Sequence, residues 1–333
     1  MKKVFILTEG GKGIGFGHIT RCTSIYQAFE ESYINPKFII NGDDSIIDLV
    51  NNFNYSIFNW IDNFEELKDD LLDSDIILVD SYKANSEIYK EISNISKLSV
   101  YFDDFNRIEY PKGIIINGAI GAENLDYSNQ TSKLLLGTNY TPLRKVFWEE
   151  SKKEIKEEIN SIMITFGGDD MRNLTPKVLK EISTNFPKLI KNIIIGKSFN
   201  NIQEIKNNSD ENTILHFFPS PSELKKIMIE SDIAISAGGQ TLYELASVGT
   251  PAIIVSIADN QNNSINGFIE KNLFYYSGEY KDLILLKTLI EKINEMKNYY
   301  IRNIFYKNMT KNINSNGSKI IVKKILKIKN NER

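Results

Sequence analysis

The apolar run Val4-Phe5-Ile6-Leu7 leads almost directly into Gly10-Gly11-Lys12-Gly13-Ile14-Gly15-Phe16-Gly17-His18-Ile19-Thr20-Arg21-Cys22. Five glycines between an apolar strand and a run with helical spacing leave few options, so the pattern predicts strand, open turn, helix. Glycine lets the backbone approach a ligand closely, and a helix start offers N–H groups to an anion. His18 stands where the turn becomes the helix, and His216 is the only other histidine. A side chain that moves protons near neutral pH therefore sits at the mouth of the expected crevice.

The same order recurs along the chain. Strands are expected at 3–7, 37–40, 76–79, 99–102, 113–117 and 133–135, mostly apolar on consecutive residues, as in parallel sheets buried on both faces. Helical patterns at 46–53 and 86–92 separate them, the second with Ser86-Glu87 as its start signal. A charged stretch at 148–158 reads as a linker with some helix. A second series follows, with strands at 161–165, 192–195, 214–217, 233–236, 252–255 and 274–276. Its helices are expected at 176–185, 222–230, 242–247, 265–271 and 281–299. Two such series predict an α/β chain of two Rossmann-like doubly wound domains, 1–145 and 146–333, facing across a cleft lined by strand-end loops. The basic stretch at 319–329 predicts a terminal helix docked on the body in preference to one lying on a membrane; whether it crosses back to the first domain is left open.

Composition narrows the class. The chain has 333 residues, 41% hydrophobic and 25% charged, as in a globular protein of two ordinary domains. A net charge of −3 supplies no basic field, which argues against a nucleic-acid partner. No apolar run is long enough to span a bilayer, so no stable membrane insertion is expected. The single cysteine, Cys22, excludes an internal disulfide and suggests a reducing compartment; with no signal peptide evident, the expected location is cytoplasmic.

Each candidate site has two readings. A dinucleotide fingerprint can be drawn through the glycines from Gly10 to Gly15, but the acidic residue it requires is displaced to Asp43 beyond the second strand. His18 is either a structural helix-start residue or a catalytic base, and its place directly after Gly17 favours catalysis. Arg21, one turn later, would orient an anion; Cys22 is expected to be buried against the sheet. The second cluster, Ser236-Ala237-Gly238-Gly239-Gln240-Thr241-Leu242-Tyr243-Glu244, suits a diphosphate at a helix start. Glu244 would bridge two ribose hydroxyls, or form a capping box with Thr241. Phe166-Gly167-Gly168-Asp169-Asp170 is a sugar- or phosphate-contacting turn, or an ordinary one. Asn260-Gln261 would pair with a base or sugar. Val79-Asp80-Ser81-Tyr82 and Phe102-Asp103-Asp104-Phe105-Asn106-Arg107 end two strands and bring Asp80, Tyr82, Asp104 and Arg107 towards the crevice. Adjacent carboxylates in an extended segment point apart, which makes Asp103-Asp104 a poor metal site. Tyr140 and Arg144 border the cleft or pack beneath the linker.

Taken together, Gly15-x-Gly17-His18-x-x-Arg21, Val79-Asp80-Ser81-Tyr82, Phe102-Asp103-Asp104-x-x-Arg107, Leu136-Gly137-x-x-Tyr140-x-x-Leu143-Arg144, Phe166-Gly167-Gly168-Asp169 and Ser236-Ala237-Gly238-Gly239-x-Thr241-x-x-Glu244 resemble a known family. It is that of the nucleotide-sugar hydrolase of pseudaminic acid biosynthesis and its relatives named for spore-coat polysaccharide. More distantly, the chain resembles the lipid II-forming N-acetylglucosaminyltransferase. The resemblance covers about residues 3 to 275. It implies a GT-B-like fold, a UDP-sugar substrate, and no cofactor or required metal. It also implies that water attacks the anomeric carbon of a diacetamido-trideoxy-altrose, releasing UDP. The family's catalytic histidine falls on His18, its active-site tyrosine on Tyr82, its nucleotide-contacting turn on Gly238-Gly239 and its ribose carboxylate on Glu244. Gln240 departs from the family pattern, which often has Gly-Ser-Thr here. On this reading His18, kept neutral by the helix start, deprotonates the water. The runner-up is a glycosyltransferase in which the same base acts on an acceptor hydroxyl.

Overall fold

The computed structural model describes residues 2–151 and 153–331. The chain divides into two compact units, one comprising 1–145 with 314–333 and the other 146–313.

The first unit is built from β1 (Val4–Gly10), α1 (Gly17–Glu30), β2 (Lys37–Gly42), α2 (Ile47–Val50), β3 (Tyr55–Ile57), α3 (Phe64–Leu71), β4 (Ile76–Asp80), α4 (Ser86–Ile95), β5 (Ser99–Phe102), β6 (Ile114–Asn117) and β7 (Lys133–Leu136). Its seven strands are parallel in the order β3-β2-β1-β4-β5-β6-β7. Strands β1, β4 and β5 are buried along their whole length, so their inward and outward positions are equally apolar. Helix α4 starts on Asn85, whose side chain accepts from Glu87 N and Ile88 N; the cap is Asn85 and not the expected Ser86.

The second unit comprises β8 (Ser161–Thr165), α5 (Thr175–Asn185), β9 (Ile190–Ile195), α6 (Ile202–Asn207), β10 (Thr213–Phe217), α7 (Pro221–Glu230), β11 (Ile233–Ala237), α8 (Thr241–Val248), β12 (Ala252–Ser256), α9 (Asn262–Glu270), β13 (Tyr275–Glu279), α10 (Leu285–Met296) and α11 (Tyr299–Asn312). Its six parallel strands run β10-β9-β8-β11-β12-β13. The helix expected at 281–299 forms as α10 over Leu285–Met296, and α11, which was not expected, starts where Asn298 accepts from Tyr300 N. The charged stretch at 148–158 carries no helix among its described residues. Buried Lys153 instead donates to the carbonyls of Met228, Ile229 and Ser231, closing the open C-terminal end of α7.

The terminal helix α12 (Gly317–Asn331) packs in the first unit against α1. Ser318, Ile321, Val322 and Ile325 are its buried positions, at helical spacing. Ser318 Oγ meets Ser24 Oγ at 3.0 Å, and Lys319 pairs with Glu31 at 3.1 Å. A methyl at Gly317 would strike the Thr141 carbonyl oxygen at 2.1 Å, so only glycine fits where this helix begins.

In each sheet the chain winds in one direction from the middle and then reverses. The reversal lies between β1 and β4 in the first unit and between β8 and β11 in the second. The carboxyl ends of the strands at such a point diverge into a crevice, the usual ligand position in open α/β sheets.

Candidate active site

At the first reversal point β1 ends in a small hairpin, with Gly11 N donating to Gly15 O at 3.1 Å and Gly15 N to Gly11 O at 3.0 Å. Gly11 has a φ of +135°, and a methyl there would lie 2.7 Å from Asp43 Oδ2. Asp43 accepts from Lys12 N at 3.0 Å and Ser45 N at 2.9 Å. The carboxylate that a dinucleotide fold would aim at a ribose here holds the glycine turn. Gly13 and Gly15 have φ of +78° and +89°, which favour glycine whatever the space, whereas at Gly17 an added methyl would meet nothing within 4 Å.

Helix α1 opens at Gly17 without a side-chain cap and carries His18 as its second residue. Strands β1 and β4 are neighbours, with Thr8 opposite Asp80, so the end of β4 lies beside the start of α1. His18 Nδ1 lies 2.6 Å from Asp80 Oδ1, and Asp80 is fully buried. A carboxylate on Nδ1 assigns the proton to that nitrogen and leaves Nε2 as an acceptor, an assignment made from the hydrogen-bond pattern. Arg21 grips the same carboxylate, donating Nε to Oδ2 and Nη2 to Oδ1, each at 2.5 Å. Its Nη1 donates to Asp104 Oδ1 at 2.7 Å, and its guanidinium lies 5.0 Å from the Phe102 ring centre. Tyr82 OH donates to Asp104 Oδ2. The Tyr82 ring stands edge-on to the imidazole, 4.5 Å away at 88°. His18, Asp80, Arg21, Asp104 and Tyr82 thus form one connected chain.

Burial pushes the Asp80 carboxyl up, but Arg21 and then His18 outweigh it and hold it well below the ordinary carboxylate range. Asp104 is likewise raised by burial and brought below its usual value by Arg21. Burial, then Asp104, push the Tyr82 phenol up, so it remains a hydrogen-bond donor at neutral pH. Two carboxylates therefore share one guanidinium, and an imidazolium formed by proton uptake at Nε2 would face Asp80 as its counter-charge.

Two contributors escape a reading by motif. Asp80 is named above only as a crevice residue, and its grip on His18 arises from the β1–β4 pairing. Glu9, buried near the end of β1, accepts from Ser81 Oγ at 2.8 Å and Tyr82 N at 2.9 Å. Its sequence signal is an acidic residue inside an otherwise apolar strand. Arg107, expected at the substrate, has another task. Its Nη1 donates to the Ala84 carbonyl at 3.2 Å and its Nη2 to the Ser81 carbonyl at 3.1 Å. Asp103 and Asp104 do point apart, and Asp103 accepts from Asn106 N, Arg107 N, Tyr110 OH and Tyr127 OH.

At the second reversal point, the turns after β8 and β11 are neighbours. Gly167 has a φ of +89°, and an added methyl at Gly167, Gly168 or Gly239 would meet nothing within 4 Å. Gly238 is different: a methyl there would strike Ile265 Cδ1 at 2.6 Å. Asp169 is exposed, whereas Asp170 is buried and accepts from Leu174 N and Thr175 N. Gln240 occupies the cap position of α8, which makes Thr241 the first residue of the helix. Glu244 is buried in the first turn of that helix. Asn260 is exposed, but Gln261 Oε1 accepts from Ile257 N at 3.1 Å, which commits its acceptor half to its own loop. Tyr140 lies in the short turn Thr138–Tyr140, which packs against α12. Among the described residues no group of three or more His, Cys, Asp or Glu is placed to hold a metal ion, and no helix is long and apolar enough to cross a membrane.

Two parallel α/β units with strand-end loops gathered at their reversal points give a GT-B-like fold. The Glycosyltransferase family 28 C-terminal domain matches residues 161–325. A solved structure of MurG from Acinetobacter baumannii superposes with a TM-score of 0.65 at 12% identity, covering 98% of this chain and 99% of that one.

Relatives by sequence carry the resemblance across most of the chain. An uncharacterized protein of Methanocaldococcus jannaschii is 24% identical over 90% of this chain and 66% of its own length. The pseudaminic acid cytidylyltransferase and UDP-2,4-diacetamido-2,4,6-trideoxy-beta-L-altropyranose hydrolase of Helicobacter pylori is 25% identical over 85% of this chain. The chain spans only 48% of that longer protein. The UDP-2,4-diacetamido-2,4,6-trideoxy-beta-L-altropyranose hydrolase of Campylobacter jejuni is 23% identical, covering 84% of this chain and 99% of its own. At low identity, the chain's homologues thus include the UDP-sugar hydrolase of the pseudaminic acid pathway, within the GT-B superfamily.

Proposed function

We propose that this protein is a nucleotide-sugar hydrolase. It releases UDP from a UDP-activated diacetamido-trideoxy sugar, in nonulosonic acid or surface polysaccharide biosynthesis. The observation that carries this reading is the His18–Asp80 pair at 2.6 Å, which leaves Nε2 as the acceptor of an oriented imidazole. Water held by Nε2 attacks the anomeric carbon as the bond to the diphosphate oxygen breaks. The water proton passes to Nε2, and the bonding pair leaves with UDP. Asp80 faces the resulting imidazolium, and the Tyr82 hydroxyl oxygen accepts a hydrogen bond from the sugar or the water. Such general-base assistance contributes about 10²–10⁴-fold.

In the second unit, the amides at Gly167, Gly168, Gly239, Gln240 and Thr241 receive the diphosphate, with the α8 dipole taking the part of a cation. Glu244 receives the ribose hydroxyls, and Asn260 borders the nucleotide. The buried, unpaired thiol of Cys22 suits a reducing, cytoplasmic setting.

A glycosyltransferase using the same donor is the second reading, favoured by the family 28 match over residues 161–325. Incubation with UDP-sugars and no acceptor separates the two. Release of UDP in water is the expected outcome, and His18→Asn abolishes it while keeping UDP affinity within a few-fold. Release only on adding an acceptor alcohol would establish the transferase.

A further inference from the structure

One exposed aromatic ring stands beside the imidazole, and a second stands beside the first. Tyr82 is 38% exposed and Phe105 is 44% exposed. The ring centres run outward from His18 in sequence, 4.5 Å to Tyr82 and then 5.7 Å to Phe105, the last pair tilted at 53°. Apolar side chains of this size are normally buried, so a paired exposed set next to a catalytic base calls for an occupant.

The pair is also held rigidly. Phe105 lies in the loop after β5, between Asp104, fixed by Arg21, and Asn106, whose amide donates to Asp103 at 2.6 Å. Tyr110 and Tyr127 complete the Asp103 clamp from below. The Arg107 guanidinium ties this loop to the turn that carries Tyr82, through the Ser81 and Ala84 carbonyls. Glu9 fixes that turn from the other side through Tyr82 N. Arg21, Asp103, Arg107 and Glu9, all buried or half-buried, thus keep two exposed rings in register, which is the preorganisation a recognition surface needs.

We propose that Tyr82 and Phe105 form a platform for the apolar side of the sugar, and that Phe105 is a specificity-determining residue. This rests on the nucleotide-sugar reading above. A sugar whose anomeric carbon lies at His18 Nε2 extends over Tyr82 onto Phe105. There a deoxy methyl or an N-acetyl methyl packs on the rings, and a hydroxyl at the same place loses its water without gaining a partner. Arg107 is then a positioning residue, acting through the loop it ties.

The test reads binding separately from chemistry. In a His18→Asn background that prevents turnover, UDP, UDP-N-acetylglucosamine and the UDP-diacetamido-trideoxy sugar are titrated calorimetrically, with and without Phe105→Ala. Phe105→Ala should weaken the trideoxy sugar nucleotide about tenfold, leave UDP within twofold and erase the preference over UDP-N-acetylglucosamine. Phe105→Trp should restore that preference. Equal weakening of all three ligands, or no change in the preference, would overturn the platform. UDP release by the otherwise unaltered protein is measured in parallel. A protein that shows the Phe105 effect but releases no UDP in water retains the platform and loses the hydrolase reading.

Discussion

His18 and Asp80 lie 62 positions apart in the chain, yet Nδ1 and Oδ1 meet at 2.6 Å. Neither helix start nor strand end makes this contact alone; it follows from the placement of β4 next to β1. The pairing orients the ring by a hydrogen bond, a stronger constraint than the helix start expected to tune it.

Asp80→Asn tests that relationship. The amide can present N–H to Nδ1 and so favour the tautomer with its proton on Nε2, which cannot accept from water. Turnover should fall by about 10²–10⁴-fold with UDP affinity unchanged. Steady-state kinetics of UDP release with UDP titration measures it, and turnover within threefold of the parent rejects the dyad.

Arg21 bridges the buried Asp80 and the half-buried Asp104 with a planar fork, a geometry that an ammonium cannot reproduce. Arg21→Met should destabilise the fold by about 3–5 kcal/mol, because it strands both charges, and Arg21→Lys should recover only part of this. Urea unfolding monitored by circular dichroism reads the difference. Loss of under 1 kcal/mol in Arg21→Met would contradict the bridge.

Acid should unfold the protein through these carboxylates. Asp80 and Asp104 titrate below their ordinary values in the folded state, and Asp210, beside Lys191, titrates at about 2. A carboxyl depressed by folding stabilises fully above its unfolded value, about 4, and that stabilisation disappears as pH falls towards the folded value. Stability should therefore decline from about pH 4 downward and be flat from these groups above about pH 5. Thermal unfolding across pH 2–7 checks the sign, which a rise in stability below about pH 4 would reverse.

The glycines of the second unit should divide by task. Gly239→Ala meets no neighbouring atom within 4 Å, so stability should hold within about 0.5 kcal/mol while UDP affinity falls at least about tenfold. Gly238→Ala strikes Ile265 and should cost about 1–3 kcal/mol. Paired unfolding and UDP titrations distinguish them. Unchanged UDP affinity in Gly239→Ala would remove that turn from the nucleotide site.

Much of this protein is legible residue by residue. Runs such as Ile76-Ile77-Leu78-Val79, followed by a turn, fit strands buried on both faces, where successive side chains point to opposite sides and both sides are covered. The turns after such strands, which carry His18, Tyr82, Asp104 and Gly239, follow from local chemistry. Helix α11 and its Asn298 cap were not expected, and the Asn85 cap was hidden because Ser86 offers a similar signal one position later.

What the sequence determined by itself was the alternation of strand, turn and helix, and the side chains each turn offers. What only the tertiary structure decided was their partners. Strand order is a long-range outcome of packing; it sets Asp80 against His18, hides Glu9 beneath Tyr82 and turns Arg107 from a ligand candidate into a tie between two loops. Hydrogen bonds reach about 3 Å, so a role that depends on one cannot be read until residues 26 to 73 positions apart have been brought together.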